Sequence, residues 1–290
     1  MFFSPLRYPG GKGKLAPFIG MLIEEYGHKG GTYIEPFAGG AAVAIELLER
    51  GIVSQIVIND LDKGIYSFWR TVLTETDRFI EKIESVPLTM DEWQKQRDIC
   101  MKKNSKYSFE LGFATFYMNR TNRSGIIKGG VIGGKEQSGI WRLDARFNKK
   151  TLIERIKKIA TMKDSIHLYN KDIDSFLTRY VSKYEENALI YFDPPYFEKG
   201  KQLYLNFFTY KDHLRIEKLI SEKVNCDWII TYDDVPEIEK IYSGYNLRRF
   251  ELNYSVAKKR KANEIIIFNG ENKIPDNSLL EKQKICINLH

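Results

Sequence analysis

The chain has 290 residues, 43% hydrophobic and 29% charged, with a formal net charge of +7. Those fractions are ordinary for a globular protein and exclude a disordered tail or a collagen-like fibre. The apolar runs fall far short of the ~18–20 residues that a bilayer span requires, and the length allows about two domains, or one with an insertion.

The first residues, MFFSPLRYPGGKGK, lack the apolar stretch and cleavage site of a secretory signal. Cys100, Cys226 and Cys286 are scattered and make neither a disulfide framework nor a zinc site. The four histidines have no metal-ligand spacing. A reduced, cytoplasmic protein without a bound metal is the expectation.

In chain order, Arg7-Tyr8-Pro9-Gly10-Gly11-Lys12 comes first. An aromatic ring, two glycines and a lysine can cover a planar ring and set a cation beside an acidic group. TYIEPF (32–37) is rich in strand formers and predicts a strand. The turn Ile34-Glu35-Pro36-Phe37-Ala38-Gly39-Gly40 leads from it into a predicted helix over Ala41–Arg50. Such a turn brings backbone N–H groups and a helix N-terminus close to a nucleotide-like ligand. QIVIND (55–60) predicts the next strand and ends on Asp60. An acid at that spacing from the glycines commonly accepts hydrogen bonds from ribose hydroxyls. There is no G-x-G-x-x-G, which disfavours NAD. A helix is predicted over Ile65–Leu73.

From about Thr76 to Lys163 the rhythm changes to helices, with one glycine-rich segment from Arg120 to Asp144. Lys95 to Lys163 holds 17 basic and 5 acidic residues, a net +12 that leaves −5 for the rest. A basic block on an acidic body is the footprint of a surface that meets phosphate. Arg120, Arg123, Lys128, Lys135, Arg142 and Arg146 are interleaved with glycines, while Asn119, Asn122, Gln137 and Trp141 can read base edges or stack. This stretch reads as an inserted domain, 76–163, between two parts of a main domain, 1–75 and 164–290.

Strands are predicted again at DSIHLYN (164–170), NALIYFD (187–193), DWIITY (227–232), NLRRFELN (246–253) and NEIIIF (263–268), with a helix over Asp212–Lys223. Alternating strands and helices argue an open α/β sheet with its crevice at the carboxyl ends of the strands. Lys258 and Lys259, with Arg260 and Lys261, make a second basic cluster, expected at phosphates. The polar tail after Asn269 is expected to be loosely held.

Asp193-Pro194-Pro195-Tyr196 directly follows the apolar run LIYF. Two prolines cannot continue a paired central strand, so the chain leaves the sheet there. The rigid turn can hold the Asp193 carboxylate and the Pro194 carbonyl as two fixed acceptors, which suits one –NH₂ group. The lone pair of an exocyclic amine on a nucleobase is delocalised into the ring. Acceptors on both N–H bonds draw the nitrogen toward tetrahedral geometry and aim the lone pair at an electrophile. Tyr196 can stack on the base, worth about 1–3 kcal/mol. An amine inside a duplex is out of reach, so the base must be flipped out.

Together these motifs resemble the Dam-like, D12-class N6-adenine DNA methyltransferases. RYPGGK looks like the family's N-terminal cofactor motif, IEPFAGG its main cofactor loop, VIND the acidic strand end and DPPY the catalytic motif. Their order is similar to the α-group arrangement, and WIITYDD and NEIIIF fall in the places of later strands. The resemblance implies a Rossmann-like, S-adenosylmethionine-dependent methyltransferase sheet with an inserted, mainly helical target-recognition domain. It implies that Tyr8, Lys12, Phe37, Ala38, Gly39, Asp60, Asp172 and Asp193 hold S-adenosyl-L-methionine, with Asp60 on the ribose and Asp172 near the adenine ring. Asp193, Pro194 and Tyr196 would be catalytic. Asn119, Arg120, Asn122, Arg123, Ser124, Lys128, Lys135 and Arg142 would face double-stranded DNA, with Lys258 and Lys259. A monomer is expected, with a restriction endonuclease as a candidate partner. Two other readings use the same residues: cytosine N4 methylation, and a DNA-binding protein without catalysis on the same scaffold.

Overall fold

The computed structural model describes residues 4–7, 12–102, 107–198, 208–253, 261–270, 274–282, 285, 287 and 289. Tyr8, Lys258 and Lys259 lie outside the described residues. All seven expected strands form: β1 (Thr32–Glu35), β2 (Gln55–Asn59), β3 (Ile166–Tyr169), β4 (Ala188–Phe192), β5 (Asp227–Asp233), β6 (Asn246–Asn253) and β7 (Lys261–Phe268). They make one sheet in the order β3-β2-β1-β4-β5-β7-β6. The first five are parallel; β7 runs antiparallel to β5 and to β6.

Side chains alternate across this sheet, as the pleat requires. Ile34, Val57, Ile190, Ile230 and Ile267 pack on one face with Phe176 of α8 (Ile173–Arg179), Ile216 of α9 (Tyr210–Lys223) and Ile238 of α10 (Pro236–Ile241). Tyr33, Ile58, Tyr191, Ile229 and Ile266 pack on the other with α1 (Ala16–Glu25), α2 (Ala42–Glu49) and α3 (Lys63–Thr74). Both faces are covered, which is why the central strands read as continuous apolar runs.

The stretch 76–163 supplies α4 (Thr76–Ser85), α5 (Met90–Met101), α6 (Phe109–Thr121) and α7 (Lys149–Ala160). Thr89, Ser108 and Asn148 cap the last three through side-chain oxygens. These helices share the core of the sheet: Phe68 of α3 stacks on Phe116 at 5.9 Å and meets Phe79 edge-on. Through Phe79 and Phe116, α4 and α6 are thus packed on α3, directly after the Asp60 turn.

The tail corrects one expectation. Leu280 in α11 (Asn277–Lys282), Ile287 and Leu289 are buried, and Leu289 bridges to Phe250. Three apolar residues among polar ones dock the described parts of it.

Candidate active site

β1 pairs with both β2 and β4, so the strand order reverses there. At such a switch point the loops leaving adjacent strands diverge and open a crevice at the carboxyl ends. Three of the expected motifs arrive at it: Phe37–Gly39 after β1, Asp60 after β2 and Asp193–Tyr196 after β4.

The first wall is a braced glycine turn. Gly39 adopts φ +47°, where a side chain is disfavoured. Its N–H donates to Asp60 Oδ2 at 2.8 Å, and its carbonyl accepts from Trp69 Nε1 at 2.9 Å. The Asp62 N–H donates to Asp60 Oδ1. Asp62 itself caps α3 by accepting from the N–H groups of Gly64 and Ile65. Burial, reinforced by Asp62, pushes the Asp60 carboxyl up to about 7 despite the two backbone N–H groups. Leu61 beside it is 63% exposed. Asn59 is buried and ties the loops together: its Nδ2 donates to the carbonyls of Pro36 and Lys171, and its Oδ1 accepts from the Lys171 N–H. Glu35 is buried under the turn, accepting from Tyr33 Oη and the Ala44 N–H, and burial pushes it up to about 8. Asp172 caps α8 by accepting from the Ser175 N–H. Its loop joins the crevice rim through Asn170, which donates to the carbonyls of Asp60 and Leu61. Phe37 is half-buried and meets Phe208 edge-on. A left-handed glycine turn, a carboxylate with spare lone pairs and an open apolar side chain form a set that fits a nucleoside-bearing cofactor.

The second wall is the Asp-Pro-Pro-Tyr turn. Asp193 keeps 30% of its side chain exposed. Its Oδ1 accepts from Thr231 Oγ1 at 3.0 Å, and Thr231 in turn contacts Tyr191 Oη. Lys12 Nζ lies 3.8 Å from the same oxygen. Lys12 and Glu264 form a buried ion pair, 7% and 1% exposed. Lys12 also donates to the Tyr196 hydroxyl, and that hydroxyl donates to Glu264 at 2.8 Å. Asp233 accepts from the N–H groups of Phe197 and Glu198 and fixes the chain just beyond. Burial raises the Asp193 pKa; Lys12 pulls it back, Glu264 adds to the rise, and it settles at about 6. At neutral pH Asp193 is thus a carboxylate on a turn held from three directions, beside an aromatic ring whose hydroxyl is tied down.

Sequence reasoning missed Asn59, Leu61, Trp69, Thr231, Asp233 and Glu264. Glu264 did carry a signal, being the one carboxylate inside the apolar run NEIIIF.

The basic region divides. Arg123, Ser124, Lys128, Lys135 and Arg142 are exposed as expected. Asn119 and Asn122 are not: both are buried and hydrogen-bonded within the protein. Asn119 accepts from the Arg7 N–H and donates to the carbonyls of Arg7 and Gly125. Asn122 accepts from Trp93 Nε1 and donates to the carbonyls of Ile126 and Ile127. Their amides shape the turn and do not present an edge to a ligand. Replacing Asn122 with Ala therefore strands the Trp93 N–H, and urea unfolding should show a loss of about 1–3 kcal/mol. Unchanged stability would mean that water replaces the amide. Arg120 is half-buried, donating to the Arg146 and Pro5 carbonyls. Burial and the nearby Arg7, Arg155 and Arg146 pull its pKa down to about 9.

A family model described as D12 class N6 adenine-specific DNA methyltransferase matches residues 8–256. The chain is 23% identical over 265 residues to Type II methyltransferase M.MjaIII of Methanocaldococcus jannaschii, covering 84% of this chain and 89% of that protein. Among solved structures it resembles a putative methyltransferase, yhhF, from Escherichia coli, at TM-score 0.33 and 13% identity, with 85% and 82% of the chains covered. It also resembles a SAM-dependent methyltransferase from Agrobacterium tumefaciens at TM-score 0.40 and 8% identity, covering 87% of this chain and 60% of that one. With the family match spanning the glycine turn, the basic region and the Asp-Pro-Pro-Tyr turn alike, the chain belongs to the D12 class of N6 adenine-specific DNA methyltransferases.

Proposed function

We propose that this adenine-specific methyltransferase acts on a base flipped out of double-stranded DNA at one target sequence, with Asp193 and the Pro194 carbonyl holding the two N–H bonds of the N6 amine. The observation that carries this reading is the bracing of Asp193 by Thr231 and Lys12 at the switch point, with Tyr196 fixed beside it. S-adenosyl-L-methionine, when bound, supplies the methyl group as an electrophile. Gly39, Ala38 and Phe37 would line its site, and Asp60 would accept from the ribose hydroxyls on lone pairs left over from Gly39 and Asp62. Leu61 and Asp172 would flank its adenine ring, with Lys12 and Tyr8 on the side of the N-terminal motif.

Two acceptors on the target amine favour the geometry in which its lone pair points outward. A preorganised carboxylate does this without reorganising at the moment of reaction. Tyr196, held by Lys12 and Glu264, offers a fixed ring face for the flipped base. Residues 76–163 would form the target-recognition unit, with Arg120, Arg123, Lys128, Lys135 and Arg142 on the DNA side. A restriction endonuclease with the same target would be its partner. The enzyme would work as a cytoplasmic monomer.

Single-molecule sequencing of genomic DNA from cells expressing the chain tests this. N6-methyladenine at one motif is the expected result. N4-methylcytosine there would overturn the base assignment. A protein that binds duplex DNA and leaves no mark would overturn catalysis.

A further inference from the structure

Two buried hydroxyls lie in line beneath the Asp-Pro-Pro-Tyr turn. Phe192 of β4 pairs with Ile230 of β5, and both pack on the α8 face of the sheet. The pleat turns the next residue of β5, Thr231, to the opposite face, which Tyr191 shares. Thr231 is fully buried and Tyr191 is 2% exposed. Their hydroxyl oxygens are 2.8 Å apart, and Thr231 Oγ1 lies 3.0 Å from Asp193 Oδ1.

The direction of these bonds follows from the protons available. An ionised carboxylate only accepts, and a threonine hydroxyl has one proton to give. Thr231 gives it to Asp193, so Tyr191 is the donor in the second bond. Burial holds the Tyr191 phenol well above its usual range, so that proton stays in place. The result is a directed chain from Tyr191 to Thr231 to Asp193, in which each bond strengthens the next. Lys12 Nζ approaches the same carboxylate oxygen, at 3.8 Å. The Tyr196 hydroxyl, another neighbour of this carboxylate, is engaged by Lys12 and Glu264. A carboxylate gripped at Oδ1 from below no longer turns freely, so its second oxygen has a set direction.

We propose that Thr231 is a positioning residue for methyl transfer: its hydroxyl, directed by Tyr191, holds Oδ1 of Asp193 and leaves Oδ2 to accept from the target amine. The proposal rests on the reading of Asp193 given above.

Thr231→Val keeps the shape of the side chain and removes the donor. Single turnover at saturating cofactor and DNA should slow by about ten- to a hundredfold, the scale of one hydrogen bond to a charged group. Duplex affinity should not change. Thr231 lowers the Asp193 pKa, so the acid limb of the pH profile should move upward from about 6. Lys12, Glu264, Glu35 and the hydroxyls of Tyr33, Tyr191, Tyr196 and Tyr232 also face Asp193. Burial keeps Tyr33, Tyr191 and Tyr232 protonated in that range, and Glu35, at about 8, is protonated there too. Thr231→Ser keeps the donor and should regain most of the rate and the wild-type pH step. Tyr191→Phe leaves the Asp193 contact in place but undirected, and should cost less than Thr231→Val. Thr231→Val alone strands the Tyr191 hydroxyl in the core. The Thr231→Val/Tyr191→Phe double variant removes both groups, so its urea midpoint should return toward the wild type while turnover stays low. In a crystal with S-adenosylhomocysteine and a duplex carrying the methylated motif, the target N6 should lie within hydrogen-bond distance of Oδ2. Thr231→Val at the wild-type rate overturns the proposal, as does a slow Thr231→Val with an unmoved pH step. So does Thr231→Ser as slow as the valine variant, or N6 bonded to Oδ1. Full activity in Asp193→Asn instead overturns the reading of the active site.

Discussion

Asp193→Asn is expected to reduce methyl transfer by at least about a hundred- to a thousandfold, the scale seen when one preorganised polar group is lost from a reacting centre. The substitution keeps the shape of the side chain, so the turn and its Thr231 contact can survive. It removes the charge and turns one acceptor oxygen into an –NH₂ donor, which opposes the target amine. DNA binding should persist, because the basic region is separate from this carboxylate. Single-turnover assays with binding measured alongside would show whether the loss lies in chemistry. The pH profile adds an independent check. The Asp193 pKa stands at about 6, and protonation removes the charge and turns one acceptor oxygen into an O–H donor. Wild-type turnover should therefore be level above that value and fall about tenfold per unit below it. Asp193→Asn should retain no such step. A variant with wild-type turnover, or one with the same pH step, would remove Asp193 from the role assigned to it.

The central strands were legible because each is an apolar, β-branched or aromatic run ended by a turn, and burial on both faces requires such runs. The Asp-Pro-Pro-Tyr turn was legible for a related reason: two prolines after LIYF have no place inside a sheet. What the sequence hid depends on tertiary contact. Lys12 and Glu264 are separated by 252 positions, so no local pattern links them. Thr231 looks like any strand threonine until β5 lies beside β4 and its hydroxyl meets Asp193. Asn119 and Asn122 misled in the opposite direction. A polar amide among arginines suggests a DNA edge, but unpaired backbone groups in a tight turn recruit the same side chain. Trp141 and Asn122 lie in one glycine-rich stretch, yet one is open to water and the other fully enclosed.

The buried Lys12–Glu264 pair should separate stability from activity. Glu264→Leu leaves the Lys12 ammonium in a dry site with less compensation. Breaking such a pair from one side costs about 3–5 kcal/mol, and urea unfolding should show a loss of that order. Adding Lys12→Met removes that buried charge as well. An apolar replacement of both partners is often neutral or stabilising, so the double variant should regain most of the lost stability. Turnover should not return with it. Tyr196 loses two of the groups that hold its hydroxyl, so its ring is held less firmly against the base. Asp193 also changes. Lys12 lowers its pKa more than Glu264 raises it, so loss of both should shift the acid limb of the pH profile upward from about 6. A double variant that is stable and slow, with its pH step displaced upward, is the expected result. If it is stable and fully active on the wild-type pH profile, the ion pair only supports the fold and has no part in positioning the Asp-Pro-Pro-Tyr turn.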